Sequence, residues 1–249
     1  MMAACGDPSP WSNYSSPRYK DLTAKHLQWL GQGSTEFTPF HFALIADPQV
    51  MIGHLREARS RVDRQDPAFT FILGDLTDRS LRKEFEWVAA EVEKFNRPVL
   101  TTPGNHDGLI YGKRLYRDMF GDPNYAFTYN GIRFVSFNNN AYEWGYPDFG
   151  FVEAEVEAHD NVVILAHQAP GRISAYPEAN DRFRAFYESD HVLGSFHGHT
   201  HQFYYDEIAG KPVFITARVE HSRYSLVRFT EEMKLVIESC EKSACTTLP

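Results

Sequence analysis

Five short stretches of the chain carry side chains suited to holding metal ions or moving protons. They are Asp47-Pro48-Gln49, Gly74-Asp75-Leu76-Thr77-Asp78, Gly104-Asn105-His106-Asp107, His167 and Gly198-His199-Thr200-His201. Carboxylate, amide and imidazole donors suit manganese, iron, zinc or magnesium rather than soft copper(I). Taken singly, each stretch has a plain structural reading. An Asp after a strand most often caps a helix or a turn, and a lone His is more often a satisfied structural residue than a ligand. Gly-Asn-His-Asp also reads as an ordinary turn. Their common placement changes that reading, because each stretch lies at or just beyond the end of a short apolar run.

Those runs are Phe42–Ala46, Phe69–Leu73, Pro98–Thr101, Val162–Ala166 and Val192–Phe196. Their length and their β-branched or aromatic content predict buried strands. Leu55–Val62 and Phe85–Phe95 repeat apolar residues at three- and four-residue steps and predict helices between strands. Alternating strands and helices predict an α/β layered fold. In such sheets, sites form beyond the carboxyl ends of the strands, so the five stretches should meet around one crevice. The glycines permit tight turns straight out of a strand. Strand-like segments at 125–129, 132–137, 203–208, 213–216, 224–229 and 235–238, some joined by turns such as Asn130-Gly131, predict antiparallel additions.

This order of blocks resembles the calcineurin-like metallophosphoesterases. Their pattern runs Asp-x-His, Gly-Asp-x-x-Asp, Gly-Asn-His-Asp/Glu, a strand-end His and Gly-His-x-His, and it is matched here over about residues 41–230. Gln49 stands at the usual His of the first block. Asp-x-Gln subgroups include relatives resembling manganese-dependent nucleoside-diphosphate-sugar hydrolases and others resembling a cytosolic phosphoprotein phosphatase. The resemblance implies an α/β, four-layer αββα sandwich with two mixed β-sheets and two divalent metal ions at the sheet ends. Manganese is the expected metal, with iron, zinc, magnesium or cobalt as alternatives. Asp47, Gln49, Asp75 and His201 would take the first ion, and Asp75, Asn105, His167 and His199 the second, with Asp75 shared. A metal-bridging hydroxide would attack phosphorus in line. His106 would protonate the leaving oxygen, oriented by Asp78, whose alternative role is to cap a helix starting near Ser80. The implied activity is hydrolysis of a phosphomonoester, diester or pyrophosphate bond of a small phosphorylated substrate. The alternatives are a phosphoprotein phosphatase and a catalytically silent scaffold of the same fold.

The rest of the sequence bounds this reading. The 249 residues, 43% hydrophobic and 23% charged, suffice for one sizeable core and exclude a disordered or coiled-coil chain. We divide them into an N-terminal arm or linker over 1–40 and one domain over 41–249. No apolar stretch approaches the roughly 20 residues of a membrane helix. With 25 basic and 33 acidic residues and no basic run among the aromatics, no nucleic-acid surface is expected. No motif specifies an oligomeric state. Arg79, Arg172, Arg218 and His221 are candidate phosphate holders or plain surface charges. Asn138-Asn139-Asn140 is expected to be a turn rather than a site-facing loop. Tyr142, Trp144 and Tyr146 are expected to form a local apolar lid rather than a stacking platform.

The cysteines are Cys5, Cys240 and Cys245, so neither a Cys-x-x-Cys zinc site nor a cysteine nucleophile is expected. Met1-Met2-Ala3-Ala4-Cys5-Gly6 resembles the attachment box of a bacterial lipoprotein, without the basic start and apolar stretch of a full signal. On that expectation Cys5 carries a lipid anchor in the cell envelope, and Cys240 and Cys245 are left to pair. The alternative is a cytoplasmic protein with three free thiols.

Overall fold

The computed structural model describes residues 9, 12, 14, 15, 17–31, 33–173 and 176–248. Cys5 and the rest of the lipoprotein-like box lie outside them. In chain order the elements are α1 (Leu22–Leu30), β1 (His41–Ile45), α2 (Ile52–Gln65), β2 (Thr70–Leu73), α3 (Arg82–Val92), β3 (Val99–Thr102) and α4 (Gly112–Phe120). There follow β4 (Tyr125–Tyr129), β5 (Ile132–Phe137), α5 (Ala141–Trp144), α6 (Phe149–Ala158), β6 (Val162–Ala166) and α7 (Pro177–Ala185). The chain ends with β7 (Val192–His197), β8 (Tyr204–Ile208), β9 (Lys211–Ile215), β10 (Tyr224–Phe229), β11 (Leu235–Glu241) and β12 (Ala244–Thr247).

These strands form two six-stranded mixed sheets, ordered β12-β11-β10-β1-β2-β3 and β4-β5-β6-β7-β9-β8. β1, β2 and β3 run parallel, as do β5, β6, β7 and β9, while β10, β11 and β12 in the first sheet and β4 and β8 in the second pair antiparallel. Every residue of β2, β3 and β6 is buried. Covered on both faces, parallel strands read as continuous apolar runs, which is why the sequence reveals them so directly.

Side chains alternate across the first sheet. Phe42 and Leu44 point inward with Phe69, Phe71, Phe134, Leu165 and Phe196 to form the layer between the sheets. Ala43 and Ile45 point outward onto α1 to α4, together with Leu55, Val88 and Leu115. The outer face of the second sheet packs Val135 and Ile164 on Phe149 and Phe183 of α6 and α7. The result is the four-layer αββα sandwich. Edge-to-face rings lock the central layer, with Phe134 lying 5.4 Å from Phe42 and 5.2 Å from Phe69. Asn130 and Gly131 both have positive φ, 46° and 77°, as the tight β4–β5 hairpin requires.

From Tyr19 onward, the segment expected to be an arm is packed on the domain. Asp21 caps α1 by accepting from the Ala24 N–H, and Tyr19 and Leu22 are buried in the helix-side core. His26 Nδ1 accepts the Val99 N–H of edge strand β3 at 3.0 Å, satisfying a donor that no strand partner reaches. β12 was not foreseen in the sequence; it closes the first sheet, and a disulfide joins Cys240 to Cys245 across the β11–β12 pair.

Candidate metal centre

β1, β2, β3, β6 and β7 all deliver their following residues to one edge of the sandwich. The backbone bends hard there. Asp47, Gln49, Asp75, His199 and His201 all have φ between 34° and 73°, in the left-handed region that is costly for residues with a Cβ. Left-handed backbone at five expected ligand residues marks a site whose geometry the surrounding fold enforces. Glycine is needed where chain segments cross. A Cβ on Gly104 would lie 2.0 Å from Asp75 Oδ1, and one on Gly74 would lie 2.5 Å from His167 Nδ1.

The donors converge. His167 Nδ1 donates to the Leu73 carbonyl at 2.8 Å, which turns Nε2 toward the centre. That Nε2 lies 3.1 Å from Asn105 Oδ1, 3.2 Å from His199 Nδ1 and 3.4 Å from Asp75 Oδ1. Asn105 Oδ1 and His199 Nδ1 are themselves 3.1 Å apart. Ligand atoms about 2.0–2.2 Å from one divalent ion are spaced about 3.0–3.5 Å from each other. Asn105 Oδ1, His199 Nδ1 and Asp75 Oδ1 thus gather around His167 Nε2 at the spacing of neighbouring ligand atoms, and all four residues are those expected for the second ion.

The set expected for the first ion is looser. His201 Nε2 lies 3.8 Å from Asp47 Oδ1. Gln49 is buried, and its amide nitrogen donates to Asp75 Oδ2 at 3.1 Å. Ligand atoms of Asp47, Asp75 and His167 lie within 4.8 Å of one another.

The electrostatics fit a cation. Burial pushes the Asp47 carboxyl up, and the neighbouring Asp75 adds to this. Burial also opposes ionisation of Asp75, but His167 and the His106 backbone N–H outweigh it and hold this carboxyl below its ordinary value. Burial would lower His167; the two carboxylates overcome it and raise that imidazole to about 9. Burial, and then the charge of His167, lower His199 to about 4. Two buried carboxylates thus compete for one proton-bearing ring, a conflict that a bound divalent cation removes.

A second ring of residues holds this centre. Asp107, the last residue of its motif, had no role assigned from sequence. It is fully buried and accepts from Leu76 N, Thr77 N, Thr77 Oγ1 and Gly104 N. It therefore ties the loop after β2 to the loop after β3. His106 Nδ1 contacts the backbone carbonyl of Asp78 at 2.7 Å, whereas the Asp78 carboxylate is 3.8 Å away. Nor is Asp78 a helix cap; Glu84 accepts from Arg79 N and Leu81 N at the start of α3.

Asn139 and Asn140 are buried beneath the site. Asn139 exchanges hydrogen bonds with the backbone of Gln168, next to His167, and Asn140 donates to the Pro103 carbonyl. The triplet expected as a plain turn is thus a clasp between two site loops.

Of the candidate phosphate holders, Arg218 is tied to the centre. Its backbone bridges to Ala46, and its charge acts on both Asp47 and His201. Its Nε is buried without a hydrogen-bond partner among the described residues. Arg79 is exposed beside Asp78, and Arg172 and His221 are exposed. Tyr142 is 81% exposed and Tyr146 48%, so the expected apolar lid reduces to Trp144, which packs against the helix-side core.

Comparison with curated protein sequences gives no match. Among solved structures, a dimetal phosphatase from Danio rerio superposes with a TM-score of 0.67 at 16% identity, covering 84% of this chain and 98% of that one. GAP50, the anchor in the inner membrane complex of Plasmodium, gives 0.61 at 11% identity over 84% and 88%. Purple acid phosphatase PPD1 from yellow lupin, Lupinus luteus, gives 0.60 at 12% identity over 86% and 54%. At these identities the likeness is one of fold. The family profile described as calcineurin-like phosphoesterase matches residues 40–203, from the start of β1 through His201. With that match over the strands that build the metal centre, the chain belongs to the calcineurin-like phosphoesterases, a family of phosphoester hydrolases that work with divalent metal ions.

Proposed function

We propose that the protein is a dinuclear-metal phosphoesterase acting on a small phosphorylated substrate. The observation that carries this is the convergence of Asn105, His199 and Asp75 on His167 Nε2 at 3.1, 3.2 and 3.4 Å, with Asp75 also turned toward Gln49 of the other set. Asp47, Gln49, Asp75 and His201 would hold one ion, and Asp75, Asn105, His167 and His199 the other. For Gln49 this requires its amide to turn so that oxygen, not nitrogen, faces the ion. Two such ions, when bound, activate water and neutralise phosphoryl charge. The donor set, with carboxylate and amide oxygens beside imidazoles, fits manganese.

The chain's own residues supply the rest. The carbonyl of Asp78 holds His106 Nδ1, leaving Nε2 free to deliver a proton to the leaving oxygen. Arg218 would steady the phosphoryl oxygens from the Asp47 side. Hydrolysis of p-nitrophenyl phosphate by metal-free protein, with Mn²⁺, Fe²⁺, Zn²⁺, Mg²⁺ or Co²⁺ then added back singly, tests the reading. Activity restored by Mn²⁺ supports it, and inactivity with all five contradicts it.

We further propose a lipid anchor at Cys5 in the cell envelope, supported by the lipoprotein-like box and by a disulfide of the kind that persists in oxidising compartments. Metabolic labelling with a fatty acid tests it; loss of label in Cys5→Ser is expected, and no label in the parent protein contradicts it.

A further inference from the structure

Nothing in the hydrolytic reading uses Glu143, yet the fold fixes it against the loop that carries Asn105 and His106. It sits in α5, a single turn too short to be stable alone. Two anchors hold that turn. Asn140, just before it, donates to the Pro103 carbonyl at 2.8 Å, and the Trp144 indole N–H donates to the Gly104 carbonyl at 3.1 Å. Both anchors grip the loop that carries Asn105 and His106. Between them Glu143 packs on the turn His106–Gly108, so that a Cβ added to Gly108 would lie 2.8 Å from Glu143 Cβ.

The Glu143 carboxylate is partly buried and within electrostatic reach of Asp75, His106 and His167. Among the described residues it forms no ion pair, and its one hydrogen-bond partner is its own backbone N–H. A carboxylate here is unsuited to gripping a phosphoryl group, since like charges repel. As an acceptor it suits a hydroxyl or an ammonium group. Its flank is that of His106, where the leaving oxygen departs. Arg218 occupies the other flank, beside Asp47 and His201. A cation thus stands beside Asp47 and His201, and an anion without an ion-pair partner among the described residues stands beside His106.

We infer that Glu143 is a specificity-determining residue that accepts a hydrogen bond from a hydroxyl or ammonium group on the leaving alcohol, so that the site favours phosphoesters of donor-bearing alcohols. The inference rests on the hydrolytic reading above and extends it to a substrate class. Phosphate monoanhydrides, whose leaving groups are anionic, are disfavoured on this flank.

The test compares parent protein and Glu143→Gln on phosphoethanolamine, glycerol 3-phosphate and ethyl phosphate, which present an ammonium, hydroxyls and no donor. In the parent protein kcat/KM for the first two should exceed that for ethyl phosphate by roughly tenfold or more, as a charge-assisted hydrogen bond provides. In Glu143→Gln the ammonium preference should collapse, while the hydroxyl preference falls less because the amide oxygen still accepts. Saturation-transfer NMR on chelator-treated protein gives the same ranking without turnover. Phosphoethanolamine should bind better than ethyl phosphate to the parent protein and equally to the variant. A parent protein without preference, or a variant weakened equally on all three, overturns the inference. If no phosphoester is hydrolysed with any metal, the hydrolytic reading fails and the NMR comparison alone decides the role of Glu143.

Discussion

Asp107 Oδ1 accepts two hydrogen bonds from Thr77, one from its backbone N–H and one from its hydroxyl, both at 2.8 Å. Its other oxygen takes Leu76 N and Gly104 N. One buried carboxylate thereby fixes the distance between the loops that carry Asp75 and Asn105. Replacing it with Ala strands four donors in a dry interior. We expect Asp107→Ala to lose about 2–4 kcal/mol of stability, since each unsatisfied buried group costs about 1–3 kcal/mol and relaxation recovers part. Its metal affinity should fall as well. Thermal unfolding and metal titration read both, and parent-like values in both would show that the strut is dispensable.

His106→Ala should keep its metal and lose roughly 10²–10⁴-fold in turnover, as expected for a lost general acid. The loss should be greater for alkyl phosphates than for p-nitrophenyl phosphate, whose leaving group needs no proton. Asp78→Ala should cost far less, under about tenfold, because the backbone carbonyl that holds His106 survives the substitution. Equal losses for both leaving groups would remove His106 from the acid role. A loss in Asp78→Ala as deep as that in His106→Ala would show that the carboxylate, not the carbonyl, positions the ring.

Gln49 presents an amide to Asp75 where an imidazole is usual. Amide oxygen suits manganese and magnesium, and imidazole suits zinc. Gln49→His should therefore tighten the first site and move the metal preference toward zinc or iron. Chelation followed by readdition of single metals measures this. An unchanged metal order with an unchanged activation constant would mean that Gln49 is not a ligand.

His26 offers a test of how firmly the N-terminal helix belongs to the domain. It is buried, and burial lowers its pKa below the usual 6.5. The folded state therefore binds this proton less tightly than the unfolded chain. Stability from His26 is complete above about pH 6.5 and declines as the pH falls below it, by at most about 1.4 kcal/mol per pH unit. His26→Gln keeps an acceptor for Val99 N–H and removes the titration. Denaturant unfolding from pH 7.5 to 5 should show a shallower pH dependence in the variant; identical slopes would place His26 in water.

Much of the site was readable because parallel strands covered on both faces are apolar runs, and each run ends in an unmistakable polar cluster. What escaped the sequence lies in residues whose role depends on burial or on backbone. Asp107 reads as one more turn residue until its four donors surround it. The sequence points to the Asp78 side chain, whereas its carbonyl makes the contact. The short helices α4, α6 and α7 owe their stability to tertiary packing rather than to length. Asp148 caps α6, and Leu115, Tyr116, Met119 and Phe120 bury one face of α4. The segment carrying Glu143 bears no motif at all; only its anchors on Pro103 and Gly104 place it at the site.

The central claim is that two ions share Asp75. Titrating Mn²⁺ into metal-free parent protein and Asp75→Asn, with bound metal and p-nitrophenyl phosphate hydrolysis measured together, tests it directly. We expect about two ions per parent chain, with full activity only as the second binds, and reduced occupancy of both sites without hydrolysis in Asp75→Asn. Full activity in Asp75→Asn, or in parent protein holding a single ion, would contradict it.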